Sequence, residues 1–234
     1  MAATSILSCS GVCKTFTLSA VRSRHLQDCI IRRDRMTVRI PALQDVSFAV
    51  RSGEWVGIFG RNGSGKTTLL KMLAGLLAPD AGHIERHGQI SCFFDLGVGF
   101  HDERSAEENV YFHSLFHGME GGERQTFIER VRAFADLGEH WNLPFKCYST
   151  GMRLRLGFAA ATFTEADLYI LDEVHAVGDQ LFREKCWERF QAMKAVGKAA
   201  IFVTHEYADF QKICDRVMVL DEGNIVEERR LHTP

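Results

Sequence analysis

The sequence predicts an α/β fold built around a largely parallel sheet. Two observations carry this. From residue 55 onward, short apolar runs alternate with segments of helical period, the pattern of strands joined by crossover helices. A long helical block at 105–163 interrupts that alternation and reads as an insertion into the core.

Taken in order, residues 5–18 read as a strand region. Residues 20–39 hold six arginines (Arg22, Arg24, Arg32, Arg33, Arg35 and Arg39) before Pro41, and a solvated hairpin is expected there. The sharper alternative is a contact with acidic groups on a membrane protein, lipid headgroups or a lipid-linked substrate. Val46–Val50 alternates like a half-buried strand, and Trp55–Phe59 is a compact strand stopped by Gly60. Thr67–Ala74 reads as a helix with a leucine-rich face, and Ser91–Leu96 as a strand. The stretch 105–137 is helical and interrupted at Gly118, Gly121 and Gly122. Pro144 separates it from a second helix at about 151–163. A buried strand Leu168–Leu171, a helix over 179–196, a strand Ala199–Val203, a helix over 206–213 and a last strand Val217–Leu220 follow.

At 234 residues and 46% hydrophobic content, the chain suits one domain over 1–234, with a helical subdomain at about 100–165. The net charge of −2 supplies no global basic field, which argues against a nucleic-acid partner. Seven scattered cysteines form neither a disulfide framework nor a zinc pattern and read as reduced thiols, mostly in the core. Ten histidines show no H-E-x-x-H. The first residues lack a signal peptide's basic start and apolar run, and no apolar stretch reaches the ~18 residues of a membrane span. Work at a membrane would therefore run through another protein.

Gly60-Arg61-Asn62-Gly63-Ser64-Gly65-Lys66-Thr67 fits G-x-x-x-x-G-K-[ST], leaving an apolar strand and entering a helix as that motif requires. The glycines let the backbone curl so that N–H groups face a phosphate. The new helix adds its positive end. Lys66 can reach β- and γ-phosphates and the Thr67 hydroxyl can ligate Mg²⁺, with Thr68 beside it. Leu168–Leu171 then delivers Asp172 toward the same Mg²⁺, and Glu173 toward an attacking water as general base or orienting group. Tyr148-Ser149-Thr150-Gly151-Met152 opens a helix and offers an anion N–H groups and a hydroxyl, although an ordinary N-cap would read the same way. His205 follows the strand Ala199–Val203, and strand ends are where open α/β sheets gather ligand groups.

The order and spacing of these four elements resemble those of ABC ATPase domains over nearly the whole chain: Walker A at 60–67, signature at 148–152, Walker B at 168–173 and switch His205. The resemblance implies a RecA-like P-loop NTPase core, an antiparallel β subdomain near the N-terminus and a helical subdomain. It also implies a head-to-tail homodimer, with each ATP between Walker A of one copy and Ser149, Thr150, Gly151 and Met152 of the other. Phe16 matches the aromatic that stacks on adenine. Asp179 falls at the D-loop that crosses the dimer interface, and could equally be the N-cap of the following helix. ATP and Mg²⁺ are the implied cofactors.

The signature wording is similar to the Tyr-Ser-Ser-Gly-Met of bacterial O-antigen, capsule and teichoic acid exporters. Asp95-Leu96-Gly97-Val98-Gly99-Phe100-His101, Glu108-Asn109 and Asp172–Asp179 also resemble that branch. This implies a polysaccharide exporter ATPase at the cytoplasmic face of the inner membrane, held by a transmembrane permease. Three departures stand out. Gln89 falls too early for the family's Mg²⁺-sensing Gln, so Asp95 takes that place. Thr150 replaces a small signature residue, and His175 an apolar one. Some O-antigen exporters append a carbohydrate-binding domain where this sequence stops, at Pro234, so glycan selection by such a domain is not expected. The competing classes are an ABC ATPase for another substrate or one acting on DNA or ribosomes, and an unrelated P-loop kinase or GTPase.

Overall fold

The computed structural model describes residues 5–21, 35–93, 99–172 and 179–231. Glu173, Asp95, His175, Arg22, Arg24, Arg32 and Arg33 lie outside them.

Two sheets sandwich a common core. β1 (Ser5–Val21), β2 (Arg35–Arg51) and β4 (Ala81–Arg86) form an antiparallel sheet in the order β2-β1-β4. β3 (Trp55–Phe59), β5 (Ile90–Phe93), β6 (Leu168–Asp172), β7 (Ala199–Val203), β8 (Arg216–Asp221) and β9 (Asn224–Arg230) form the second sheet, ordered β5-β6-β7-β3-β8-β9. It is parallel except for the β8–β9 hairpin.

The helices are α1 (Lys66–Leu73), α2 (Ala106–Phe116), α3 (Gly121–Ala135), α4 (Thr150–Phe163), α5 (Gln180–Ala195) and α6 (Tyr207–Ile213). Both faces of the parallel strands are covered, so they read as continuous apolar runs. Alternate residues divide between two cores. Leu168, Ile170, Ile201 and Val203 pack with α1 and the antiparallel sheet. Tyr169, Leu171, Ala200 and Phe202 pack with α4, α5 and α6. A third core joins α2, α3 and α4 around Val110, Phe127, Val131 and Trp141.

Several expectations need correction. Val217–Leu220 is not the last strand, because β9 follows it. β9 alternates weakly, with Glu227, Glu228, Arg229 and Arg230 all exposed, so it carries no period-two apolar signal. Gly121 and Gly122 begin α3 rather than interrupting a helix. β4 leaves five of its six residues exposed, which hid it in the same way. Pro41 sits within β2, an edge strand, beside a register shift, the kind of place where a strand tolerates proline.

Candidate functional site

The parallel strands β3, β6 and β7 end side by side. Asp172 pairs with Val203 in register, and Val203 pairs with Ile58. The sheet therefore brings three predicted elements to one edge: the loop after β3, Asp172 at the end of β6, and Thr204-His205 after β7.

The loop is packed from behind. Gly63 and Gly65 hold φ of 82° and 106°, the left-handed region that glycine tolerates. A Cβ on Gly60 would stand 2.3 Å from the Leu220 carbonyl oxygen, and one on Gly65 would stand 2.4 Å from that of Ala42. Backbone this close leaves no room for a side chain. Lys66 is buried, and its Nζ donates to the Gly60 and Arg61 carbonyls at 2.6 and 3.0 Å. It thus bridges its own loop, in the position from which it would turn to a phosphate. Ser64 is also buried and its Oγ has no hydrogen-bond partner among the described residues. Asn62 and Thr67 are exposed beside the loop, and Thr68 is half-buried.

Phe16 is 39% exposed on β1, directly across from Ile40, and Leu18 and Val38 continue the same apolar face. The β1–β2 pairing runs out to Val21 and Arg35, so the ends of the arginine-rich segment form a hairpin.

Ser149 is the N-cap of α4. Its Oγ accepts from the Met152 N–H at 3.3 Å, and Gly151 faces open space. A pocket of about 380 Å³ opens here, lined by Ser149, Gly151, Met152, Arg155, His140 and Asp179 among others. None of its described lining residues belongs to the loop after β3, so the pocket and that loop are separate features of the chain. Asp179 caps α5, accepting from the Phe182 N–H at 2.8 Å, and its second oxygen accepts from Arg155 at 2.5 Å. The Phe182 N–H and then the Arg155 charge hold its carboxyl below the usual range.

Sequence reasoning named Asn109 only as part of the branch wording and missed what it holds. It is buried, accepts from the His101 N–H at 2.7 Å and donates to the His101, Arg104 and Ser105 carbonyls, fixing the turn before α2. Ser105 and Glu108 close a capping box there. The S-x-x-E spacing was a readable signal; the four bonds of one asparagine were not. The thiols fit the core expectation only in part: among the described residues Cys13 and Cys92 are half-buried and Cys147 is exposed. Cys9, Cys186 and Cys214 are buried, and burial pushes Cys9, Cys92 and Cys186 up to about 12.

A family model described as ABC transporter matches residues 43–176, which span the phosphate loop, the Ser149 turn and Asp172. The O-antigen export system ATP-binding protein RfbB of Klebsiella pneumoniae is 39% identical over 80% of this chain and 76% of its own length. The RfbB protein of Myxococcus xanthus is 38% identical over 87% of the chain, which spans 46% of that relative. The teichoic acids export ATP-binding protein TagH of Listeria monocytogenes is 35% identical over 92% of the chain and 64% of the relative. A dimeric ATP-binding cassette solved in a post-hydrolysis state with ADP and Pi superposes with a TM-score of 0.78 at 22% identity, covering 97% and 99% of the two chains. It establishes the fold. On the family match, the identities and the fold together, the chain belongs to the ABC transporter family.

Proposed function

We propose that this chain is the ATP-binding and ATP-hydrolysing subunit of a transporter that exports a cell-surface polysaccharide, working as a head-to-tail homodimer. The observation that carries the ATPase reading is the division of the site. A buried, glycine-wedged phosphate loop lies at the sheet edge, and a separate, open helix start lies at Ser149–Gly151. Each offers N–H groups to an anion, and neither encloses one by itself. A second copy supplies the missing wall. The relatives named for O-antigen and teichoic acid export support the substrate class.

The residues divide the work accordingly. Lys66 leaves the Gly60 and Arg61 carbonyls for the β- and γ-phosphates, and the loop amides receive the phosphate oxygens. Phe16 takes the adenine on its exposed face. Thr67 and Asp172, with Asp95 from outside the described residues, would hold Mg²⁺. Hydroxyl and carboxylate oxygens suit that hard cation, which would neutralise charge on the phosphates. Glu173 orients the water, His205 bonds the transferring group, and Asp179 lies at the dimer face.

Among the described residues, no helix is long and apolar enough to cross a membrane. A permease partner instead meets α2, where Tyr111, Phe112, Leu115 and Phe116 expose an apolar stripe between Arg104 and Arg124. On this reading the chain works at the cytoplasmic face of the inner membrane, held there by the permease.

The test is cellular. Glu173→Gln in the source cell is expected to trap the ATP-bound dimer, so that polysaccharide disappears from the surface and accumulates inside. An unchanged surface, with the variant expressed and ATP-bound, would leave the ATPase standing and sink the glycan.

A further inference from the structure

The phosphate loop is held from its rear by the turn between β8 and β9. The Gly223 N–H donates to the Ser64 carbonyl at 3.0 Å, and the Gln44 N–H donates to the Gly223 carbonyl at 2.8 Å. Gln44 adds a side-chain bond from Nε2 to the Glu222 carbonyl at 2.9 Å. A continuous line of amides thus runs from β2 through the turn to the loop.

Packing tightens the same junction. The Ala42 carbonyl oxygen would stand 2.4 Å from a Cβ on Gly65 and 2.8 Å from one on Gly223. The Leu220 carbonyl, which leads into the turn, fills the space behind Gly60. Glu222 and Gly223 both have positive φ, at 44° and 81°, the two-residue hairpin geometry that matches strand twist. A glutamate is unfavourable in that region, so the turn is kept in shape by its surroundings.

We propose that the β8–β9 turn is a brace for the phosphate loop, with Gly223 and Gln44 as positioning residues that set the affinity for nucleotide phosphates. The proposal rests on the ATP-binding reading of that loop. Binding by backbone N–H groups depends on holding the peptide planes in one orientation, because such donors cannot swing toward the ligand as side chains do. Lys66 must exchange its bonds to the Gly60 and Arg61 carbonyls when phosphate arrives. The Ser64 carbonyl, fixed to Gly223, and Gly65, wedged on Ala42, are the points that stay still. Both Gly223 and Gln44 lie outside the loop and bond to it or to its supporting turn, so their effect passes through the loop.

The experiment measures the Mg-ADP dissociation constant by calorimetry and KM and kcat for Mg-ATP, with thermal melting alongside, for the full chain and for Gly223→Ala and Gln44→Ala. Gly223→Ala is expected to raise both the ADP dissociation constant and the ATP KM about tenfold, leaving kcat within about twofold. Gln44→Ala removes one exposed side-chain bond and keeps the backbone one, so about two- to threefold is expected. A folded Gly223→Ala protein with wild-type affinity overturns the brace, as does a lower kcat at unchanged KM. If Gly223→Ala fails to fold, Gln44→Ala decides, and an unchanged dissociation constant overturns the proposal. A wild-type chain that binds no Mg-ADP overturns the ATP reading itself, and the brace with it.

Discussion

We read both the phosphate loop and the start of α4 as offering backbone N–H groups to an anion, yet they are built in opposite ways. The loop is clamped on its own side. Gly60 and Gly65 lie against carbonyls of other strands, Lys66 and Ser64 are buried, and Ser64 is bonded to the β8–β9 turn. The start of α4 is open. Ser149 and Thr150 are exposed, a Cβ on Gly151 would meet nothing within 4 Å among the described residues, and one 3.3 Å bond caps the helix. The half of a site that binds phosphate within one subunit needs its rear walls in the same chain, whereas the half presented to another copy must keep one face open. The comparison predicts that changes at the loop act within one subunit and that changes at α4 act across two.

The largest effect is expected at Lys66. Lys66→Ala removes the loop's charged donor to the phosphates, and turnover should fall by about 10²–10³-fold. Phosphate release from Mg-ATP measures it, and a variant within a few fold of wild type would break the assignment. Next is the helix that carries the open site and joins two of the cores. α4 is buried on opposite faces, with Leu154 and Phe158 in the core beneath the sheet and Leu156 and Ala159 in the helical core. Phe158 also meets Phe93, Phe134, Phe182 and Phe190. Phe158→Ala should cost about 3–5 kcal/mol of unfolding free energy. A loss under about 1 kcal/mol in urea titration would mean that α4 is not the shared member.

The same contrast explains what was legible in the sequence. Gly60–Thr67 could be read because a phosphate loop needs special backbone at fixed spacing and an apolar strand before it. β6 and β7 could be read because both their faces are buried. β9 could not, because its exposed face is charged and its pairing depends on β8 rather than on its own pattern. The start of α4 was half legible. Ser149 looks like any N-cap, and the pocket it shares with Arg155 and Asp179 depends on how α5 follows β6. The hold of Gly223 on Ser64 joins residues far apart in the chain, and no local period reports it.

A pH effect sharpens the comparison from the helical side. His113 on α2 stacks on Phe127, and its ring lies 4.5 Å from that of His117. Its Nε2 is 2.8 Å from Thr164 Oγ1, whose own proton goes to the Ala160 carbonyl, so Nε2 is the donor. Burial, and then His117, push His113 down to about 4 from an ordinary 6.5. The folded state therefore prefers the neutral ring. Its contribution is complete above about pH 6.5 and is lost as pH falls toward 4, because the unfolded chain takes up the proton first. The largest contribution is about 3 kcal/mol. Unfolding titrations of wild type and His113→Phe between pH 4 and 7 should show the wild type losing more stability on acidification. Parallel curves would place the acid sensitivity elsewhere.

The smallest expected stability change decides most about the dimer. Ser149→Ala removes one long cap bond from an exposed helix start, and should cost at most about 1 kcal/mol. An ordinary cap would show that loss and nothing more. A residue that faces nucleotide held by another copy should show a much larger loss of turnover, about tenfold or more, with Mg-ADP affinity unchanged because the loop is intact. Mixing Ser149→Ala with Lys66→Ala chains adds the geometric test. In a head-to-tail pair, one of the two composite sites carries both lesions and the other carries neither, so mixed dimers should recover part of the turnover that each variant lacks alone. If the mixture adds nothing to the two separate rates, Ser149 acts within its own subunit, and its open face needs another explanation.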